Sequence, residues 1–211
     1  MAALKNGVCA VLCAGKVEDY DLLKTRLEQC EFLICADAGY LHAQKCGIKP
    51  DVIMGDFDSA EQPESDNVLT FPIRKDETDA WLACEHAHSL GFTKIRLLAA
   101  TGGRLDHTYA NAVLCSAMAA KGIEVVLLDE KNKLFCLTHG KHMLEAEGYT
   151  KLSMFAFGGD VCGLCTSGVS YPLKDYTLSS HSALGVSNFF VEETAAVSFK
   201  NGTLMIIQAN D

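Results

Sequence analysis

The acidic residues of this chain include four short clusters set among glycines and helix starts. Asp37 stands in Cys35-Ala-Asp-Ala-Gly39, and Asp56 and Asp58 in Gly55-Asp-Phe-Asp-Ser59. Asp76 and Asp79 stand in Lys75-Asp-Glu-Thr-Asp79, and Asp106 in Thr101-Gly-Gly-Arg-Leu-Asp-His107. Singly, each has an ordinary reading. An Asp before a helix caps it, an Asp-x-Asp pair suits a solvated loop, Arg104 is a surface cation, and His107 bonds a helix start. Jointly they point to phosphate chemistry. Carboxylates converging on one edge repel one another unless a cation neutralises them, and hard oxygen donors suit Mg²⁺. Mg²⁺ bridging carboxylates to phosphate oxygens lets an acidic rim accept a polyphosphate. Thr101-Gly-Gly103 permits close backbone approach, because glycine has no Cβ. Lys75 and Arg104 supply positive charge for a transferred phosphoryl group. Neither GxxxxGK[ST] nor GxGxxG is present, which excludes a P-loop enzyme and a simple dinucleotide site.

These clusters need elements to bring them together. Val8–Cys13, Phe32–Ala36, Val52–Met54, Ile95–Ala99 and Val125–Leu128 read as buried strands. Tyr20–Gln29, Tyr40–Cys46, Thr78–Leu90 and Asp106–Lys121 read as helices between them. Strands alternating with helices and apolar on both faces predict a parallel sheet covered on both sides. The acidic clusters then share the edge outside the carboxyl ends of the strands, where ligands bind in such sheets. After about Lys131 the pattern changes to short strand-like pieces: Leu134–Thr138, Lys151–Ala156, Val169–Tyr171, Ala195–Phe199 and Leu204–Gln208. Phe199-Lys-Asn-Gly-Thr203 carries a hairpin signal. The expected division is an α/β nucleotide-binding catalytic domain over 1–131 and an all-β sandwich domain over 132–211.

Composition narrows the function. The 211 residues carry 18 Lys and Arg against 27 Asp and Glu, a formal charge of −9, and 49% are hydrophobic. That is a globular composition, and its sign disfavours non-specific nucleic-acid binding, which needs clustered cations. No apolar run approaches the roughly 18–20 residues of a membrane span, and Met1–Gly7 does not read as a secretory signal. Seven of the ten cysteines (9, 13, 30, 35, 84, 115 and 136) lie in apolar runs, where a thiol behaves as a small hydrophobe. The expected compartment is a reducing cytoplasm. Cys162-Gly-Leu-Cys165 has metal-ligand spacing but no second pair to complete a zinc site.

In their order along the chain, the four motifs, with Pro50-Asp-Val-Ile-Met in front of the second, resemble the thiamine pyrophosphokinase family. Thr166-Ser-Gly-Val-Ser-Tyr-Pro-Leu173 and Gly185-Val-Ser-Asn188 extend the resemblance toward the C-terminus. It implies transfer of a pyrophosphoryl group from ATP to thiamine, giving thiamine diphosphate and AMP. It also implies a homodimer with active sites at the subunit interface. By this resemblance Asp56, Asp58 and Asp79 hold Mg²⁺. Arg104 and Asp106 face the ATP phosphates, with Asp37, Gly39, Lys75, Asp76, Thr101, Gly102 and His107 around the nucleotide. Ser187 and Asn188 match the family's thiamine-binding pair, and Tyr171 stands where relatives often carry Trp, an aromatic face for a cationic thiazolium. Asp58 and Asp79 are both candidates for the base that takes the hydroxyl proton. Two rival readings use the same residues. A phosphatase of the haloacid dehalogenase type also has an Asp-x-Asp loop, but wants Thr or Val where this chain has Ala60. A non-catalytic nucleotide or thiamine sensor would not need every acidic cluster intact.

Overall fold

The structure is a computed structural model and describes residues 4–56, 67–70 and 76–211. It divides into two compact units. One runs to Leu114 and resumes over Gly122–Glu130, and the other comprises Cys115–Lys121 and Lys131–Asp211.

In the first unit β1 (Lys5–Leu12), α1 (Tyr20–Glu28), β2 (Phe32–Ala36), α2 (Gly39–Lys45), β3 (Val52–Gly55) and β4 (Val68–Thr70) come first in the chain. They are followed by α3 (Asp79–Ser89), β5 (Phe92–Leu98), α4 (Leu105–Ala120), whose residues from Cys115 on belong to the second unit, and β6 (Glu124–Leu128). The strands form a parallel sheet in the order β4-β3-β2-β1-β5-β6. Cys9, Ala10, Val11 and Leu12 are all fully buried, which explains why β1 reads as a continuous apolar run rather than an alternation. Ala10 and Leu12 point into a cluster with Leu23 and Leu27 of α1, and Ala43 of α2. Alternation along the strand sends Cys9 and Val11 to the opposite face. On α3, Ala80, Ala83, Cys84 and Ala87 are buried, and the helix packs on β1, β2 and β5. α1 opens on Asp19, whose side chain accepts the Leu22 N–H, and α3 opens on Thr78, whose hydroxyl accepts the Trp81 N–H. The chain steps outward from β1 through β2, β3 and β4, then returns to β5 on the other side of β1. That reversal is the point where an open α/β sheet leaves a crevice for ligands.

The second unit is built on two long antiparallel strands, β7 (Asn132–Glu145) and β12 (Thr194–Ala209). The other edge of β12 pairs with β9 (Val161–Ser167) through its first half and with β8 (Lys151–Ala156) through its second. β10 (Tyr176–Leu178) extends β9, and β11 (Asn188–Phe189) extends β8. One core, including Leu152, Leu164, Val197 and Ile206, lies within this β-rich unit. Two sequence expectations are corrected here. Phe199–Thr203 is not a hairpin: β12 continues through it, pairing Phe199 with Gly140 and Thr203 with Thr138. β12 advances four residues there while β7 advances two, so the Asn-Gly signal marks a bulge, with Gly202 at φ +94°. A bulged strand bends, which lets one strand serve two partners in succession. Val169–Tyr171 forms no strand either. Only a single bridge joins Val169 to Phe190, and Pro172, next in the chain, has no N–H for a ladder.

Candidate active site

A cleft of ≈ 320 Å³ opens at the carboxyl ends of β1, β2 and β5, within the range of roughly 300–1,000 Å³ common for ligand pockets. Cys13–Gly15 leave β1, Ala36 and Asp37 end β2, and Ala99–Thr101 leave β5; all line it. The opposite wall is Thr78–Ala80 at the start of α3, with Arg104, His107, Thr108 and Asn111 at the start of α4. Of the residues expected from sequence, Asp37, Asp79, Thr101, Arg104 and His107 therefore meet in one cavity. Gly39, Asp56, Asp76, Gly102 and Asp106 are not among its described walls. Asp58 and Lys75 lie outside the described residues.

The strand exits are held by backbone rather than by chance contact. Asp37 sits at φ 48°, in the left-handed region that Asp tolerates better than most residues, and its N–H bonds the Met54 carbonyl at 2.7 Å. Ala99 is also left-handed at φ 50°. Such conformations cost on the order of 1–3 kcal/mol and persist where the surroundings fix them. The Gly15 N–H bonds the Ala99 carbonyl at 2.7 Å and the Lys16 N–H bonds that of Thr101 at 3.2 Å. A Cβ at Gly15 would stand 2.4 Å from both the Ala99 and Thr101 carbonyl oxygens, so only glycine lets the two exit loops meet. Gly39 has a comparable duty below the cleft: its Cβ would meet the Leu12 carbonyl at 2.0 Å, so it sets the approach of α2 to β1.

Charge is distributed unevenly. Arg104 holds Asp106 through Nε at 3.1 Å and Nη2 at 2.5 Å. The Arg104 hydrogen bond is the main reason that the Asp106 carboxyl is held below its usual range. Both side chains are exposed, so water screens the pair and Arg104 can exchange Asp106 for another anion. Cys13 is the reverse case: burial first, then the charge of Asp79, pushes its thiol up to about 12. It is a neutral wall, not a nucleophile. Among the described residues no group of three His, Cys, Asp or Glu side chains converges to hold a metal ion.

Sequence reasoning missed Gly15, Thr108 and Asn111. Asn111 is buried and donates its amide N–H to the Ala100 carbonyl at 2.9 Å. Its signal was available: a lone amide in an apolar helix, four residues after His107 and on the same face. Gly15 escaped because the β1 exit carries no acid.

In the second unit Tyr171 is 68% exposed, and Asn188 is 5% exposed. The Asn188 side-chain carbonyl accepts the N–H groups of Tyr171 at 3.0 Å and Phe189 at 2.9 Å. Its amide donates to the Tyr171 carbonyl at 2.9 Å. Asn188 thus clamps the segment that presents Tyr171. Ser187 beside it is exposed and left-handed at φ 58°, its N–H on the Ser153 hydroxyl at 3.0 Å.

A parallel sheet with a cleft at its reversal point and acidic side chains in the walls, in a chain that also carries a β-rich unit, defines a ligand-binding α/β class. The description "Thiamin pyrophosphokinase, catalytic domain" matches residues 23–127, and "Thiamin pyrophosphokinase, vitamin B1 binding domain" matches residues 141–204. The chain is 28% identical over 186 residues to the thiamine pyrophosphokinase of Bacillus subtilis, covering 84% of this chain and 87% of that protein. The crystal structure of the Bacillus subtilis thiamine pyrophosphokinase superposes with a TM-score of 0.87 at 25% identity, covering 97% of this chain and 99% of that one. A Geobacillus thermodenitrificans thiamin pyrophosphokinase structure gives 0.82 at 27% identity, covering 97% and 98%. The chain belongs to the thiamine pyrophosphokinase family, enzymes that transfer a pyrophosphoryl group from ATP to thiamine.

Proposed function

We propose that ATP binds in the cleft of the first unit, thiamine is held by the second unit around Tyr171 and Ser187, and the thiamine hydroxyl attacks the β-phosphorus of ATP. The bond from that phosphorus to the AMP oxygen breaks, and AMP leaves with the electron pair. The observation that carries this reading is the meeting of Asp37, Asp79, Thr101, Arg104 and His107 in one cleft at the sheet's reversal point. The start of α3 lines that cleft, and helix N-termini favour phosphate oxygens. Arg104, released from Asp106, pairs with the polyphosphate, and the glycine-spaced Thr101–Gly103 loop lets it approach the backbone. Asp58 or Asp79 accepts the hydroxyl proton.

The donor chemistry fits Mg²⁺. Asp37 and Asp56 leave adjacent parallel strands, whose backbones approach so closely that a Cβ on Gly55 would stand 3.0 Å from Asp37 Cα. Asp79 is close enough to the β1 exit to act on Cys13. Asp56, Asp58 and Asp79 are the residues that would hold the ion. Bound there, it neutralises charge on phosphate oxygens. The working form is a homodimer in the cytoplasm. Two observations support that reading: an exposed apolar group at Tyr171, Leu184, Val186, Phe189 and Val191, and ten cysteines, all described and all free thiols.

The test is AMP release from ATP with and without thiamine. The expected result is thiamine-dependent AMP, equimolar with thiamine diphosphate and dependent on Mg²⁺. Release of inorganic phosphate without thiamine would mark a phosphatase instead, and binding without turnover a sensor.

A further inference from the structure

We infer that His42, which does not line the cleft, is a positioning residue for nucleotide binding: its Nε2 fixes the Gly15 carbonyl and thereby the β1-exit loop that forms a cleft wall. The inference rests on the cleft being the ATP site. His42 lies on α2, with its ring between α1 and the loop. Nδ1 is 2.8 Å from the Tyr20 hydroxyl, and Nε2 is 2.9 Å from the Gly15 carbonyl oxygen. A carbonyl only accepts, so Nε2 carries the proton. Lys45 Nζ donates to the Tyr20 oxygen at 3.2 Å. An ammonium only donates, which leaves the phenol proton to Nδ1. The chain Lys45, Tyr20, His42, Gly15 therefore runs in one direction, with a neutral imidazole whose tautomer is set two bonds away.

The surroundings support the neutral form. Burial lowers the His42 pKa from its ordinary 6.5 and the charge of Lys45 adds to this, while the bond to Gly15 opposes it. The titratable and charged groups around the ring are Lys45 of its own helix and Tyr20 of α1. The Cys46 thiol sits on the Tyr20 carbonyl at 3.8 Å, and the loop offers the Gly15 carbonyl. Protonation at Nδ1 would turn the Tyr20 oxygen into the acceptor of two cationic donors, His42 and Lys45, which repel across it. The relay matters because of what Gly15 holds. Its N–H bonds Ala99, Lys16 bonds Thr101, and the Thr101 hydroxyl bonds the Asp129 carboxylate at 3.0 Å. Two cleft walls, the exits of β1 and β5, are thus tied to each other, and His42 anchors the pair to α2.

The experiment uses the full chain with Mg²⁺ and ATP, comparing wild type with His42→Ala, His42→Gln and Tyr20→Phe by steady-state kinetics and calorimetric ATP binding. His42→Ala is expected to raise the KM and Kd for ATP about tenfold, the scale of one positioned hydrogen bond, with kcat changed less than about threefold. His42→Gln keeps an N–H donor for Gly15 and is expected to recover most of that loss. In wild type, KM for ATP rises as pH falls through the His42 titration, which burial places below the ordinary 6.5, and His42→Gln abolishes that rise. Tyr20→Phe frees the tautomer and raises KM at neutral pH. His42→Ala that binds ATP as wild type does, or Ala and Gln variants equally impaired, overturns the inference. If His42→Ala does not fold, a pH-independent wild-type KM or an unaltered Tyr20→Phe overturns it. Wild-type protein that binds no ATP overturns the cleft reading and the inference with it. Binding in wild type with no His42 effect overturns the inference alone.

Discussion

Asp79 is the first residue of α3, where the helix dipole favours a negative charge, and it stands in the wall of the cleft beside a thiol that stays protonated. Nothing about Asp-Glu-Thr-Asp in isolation distinguishes it from a helix-start acid; its meaning comes from Asp37 and Thr101 facing the same space. The neighbouring Arg104–Asp106 pair is of another kind, exposed and exchangeable. Strain points the same way: among the described residues five non-glycines have positive φ, and Asp37, Ala99 and Ser187 are three of them. Asp79→Asn keeps the shape and the helix start and removes the charge. Turnover is expected to fall by about 10²-fold or more, the scale of losing one preorganised charge-stabilising group. The KM for thiamine should stay near the wild-type value. Near-normal turnover at saturating Mg²⁺ would remove Asp79 from both the metal and the base roles.

At the scale of elements, Asn188 in β11 is a fastener whose failure can be read separately. Asn188→Ala leaves the Tyr171 and Phe189 N–H groups without their acceptor, a cost of about 0.5–1.5 kcal/mol for each hydrogen bond lost at these part-buried positions. The second unit should melt earlier by circular dichroism and KM for thiamine should rise, while KM for ATP holds. A rise confined to ATP would reject the clamp. The histidines of α2 and α3 give a pH signature. Burial depresses His42 and His86 below 6.5, so between their folded values and 6.5 the unfolded chain binds more protons. Their contribution is complete above pH 6.5 and is lost as pH falls through the folded values. Asp106, Asp160 and Asp211, all held below 3.8, stay charged throughout and do not contribute. Fluorescence of Trp81, the single tryptophan, should report a falling melting temperature from about pH 7.5 to 5.5. His42→Gln should flatten that fall, and an unchanged slope would count against the burial argument. Most of the first unit was legible because β1, β2 and β3 read as apolar runs and α1 and α3 open on side-chain caps, whereas β4, three residues of which two are exposed, carried no such signal. The second was legible only in part. β12 alternates buried and half-buried residues on either side of an exposed bulge, so its two halves read as separate strands and the Asn-Gly between them as a turn. Cys162–Cys165 reads as part of a strand and lies in β9, but two half-buried cysteines and a glycine at φ +70° leave that strand's bounds unmarked in the sequence.

The whole molecule poses the question of where thiamine meets ATP. Every described residue that lines the cleft belongs to the first unit, whereas Tyr171, Ser187 and Asn188 belong to the second. Around them Leu184, Val186 and Val191 are 46–59% exposed, a cost in water that the proposed dimer would remove by burying them against a second copy. In the proposed homodimer a twofold axis repeats each contact, and if the second unit of one chain serves the cleft of the other, each of the two sites draws on both chains. Complementation tests this directly. Asp79→Asn inactivates the ATP side and Tyr171→Ala weakens the thiamine side, so each homodimer is impaired at both sites. When the two variants are co-expressed and assort at random, half the dimers are mixed. Each mixed dimer then carries one site with both wild-type halves and one with both defects. Activity should return to about a quarter of wild type at limiting thiamine. If each site were instead built within one chain, every site in the mixture would carry one defect or the other, and no activity would return. Val186→Asp, placed in the exposed apolar group, should lower the mass seen by sedimentation to that of one chain and lower turnover with it. A fully active monomer would show that each chain works alone.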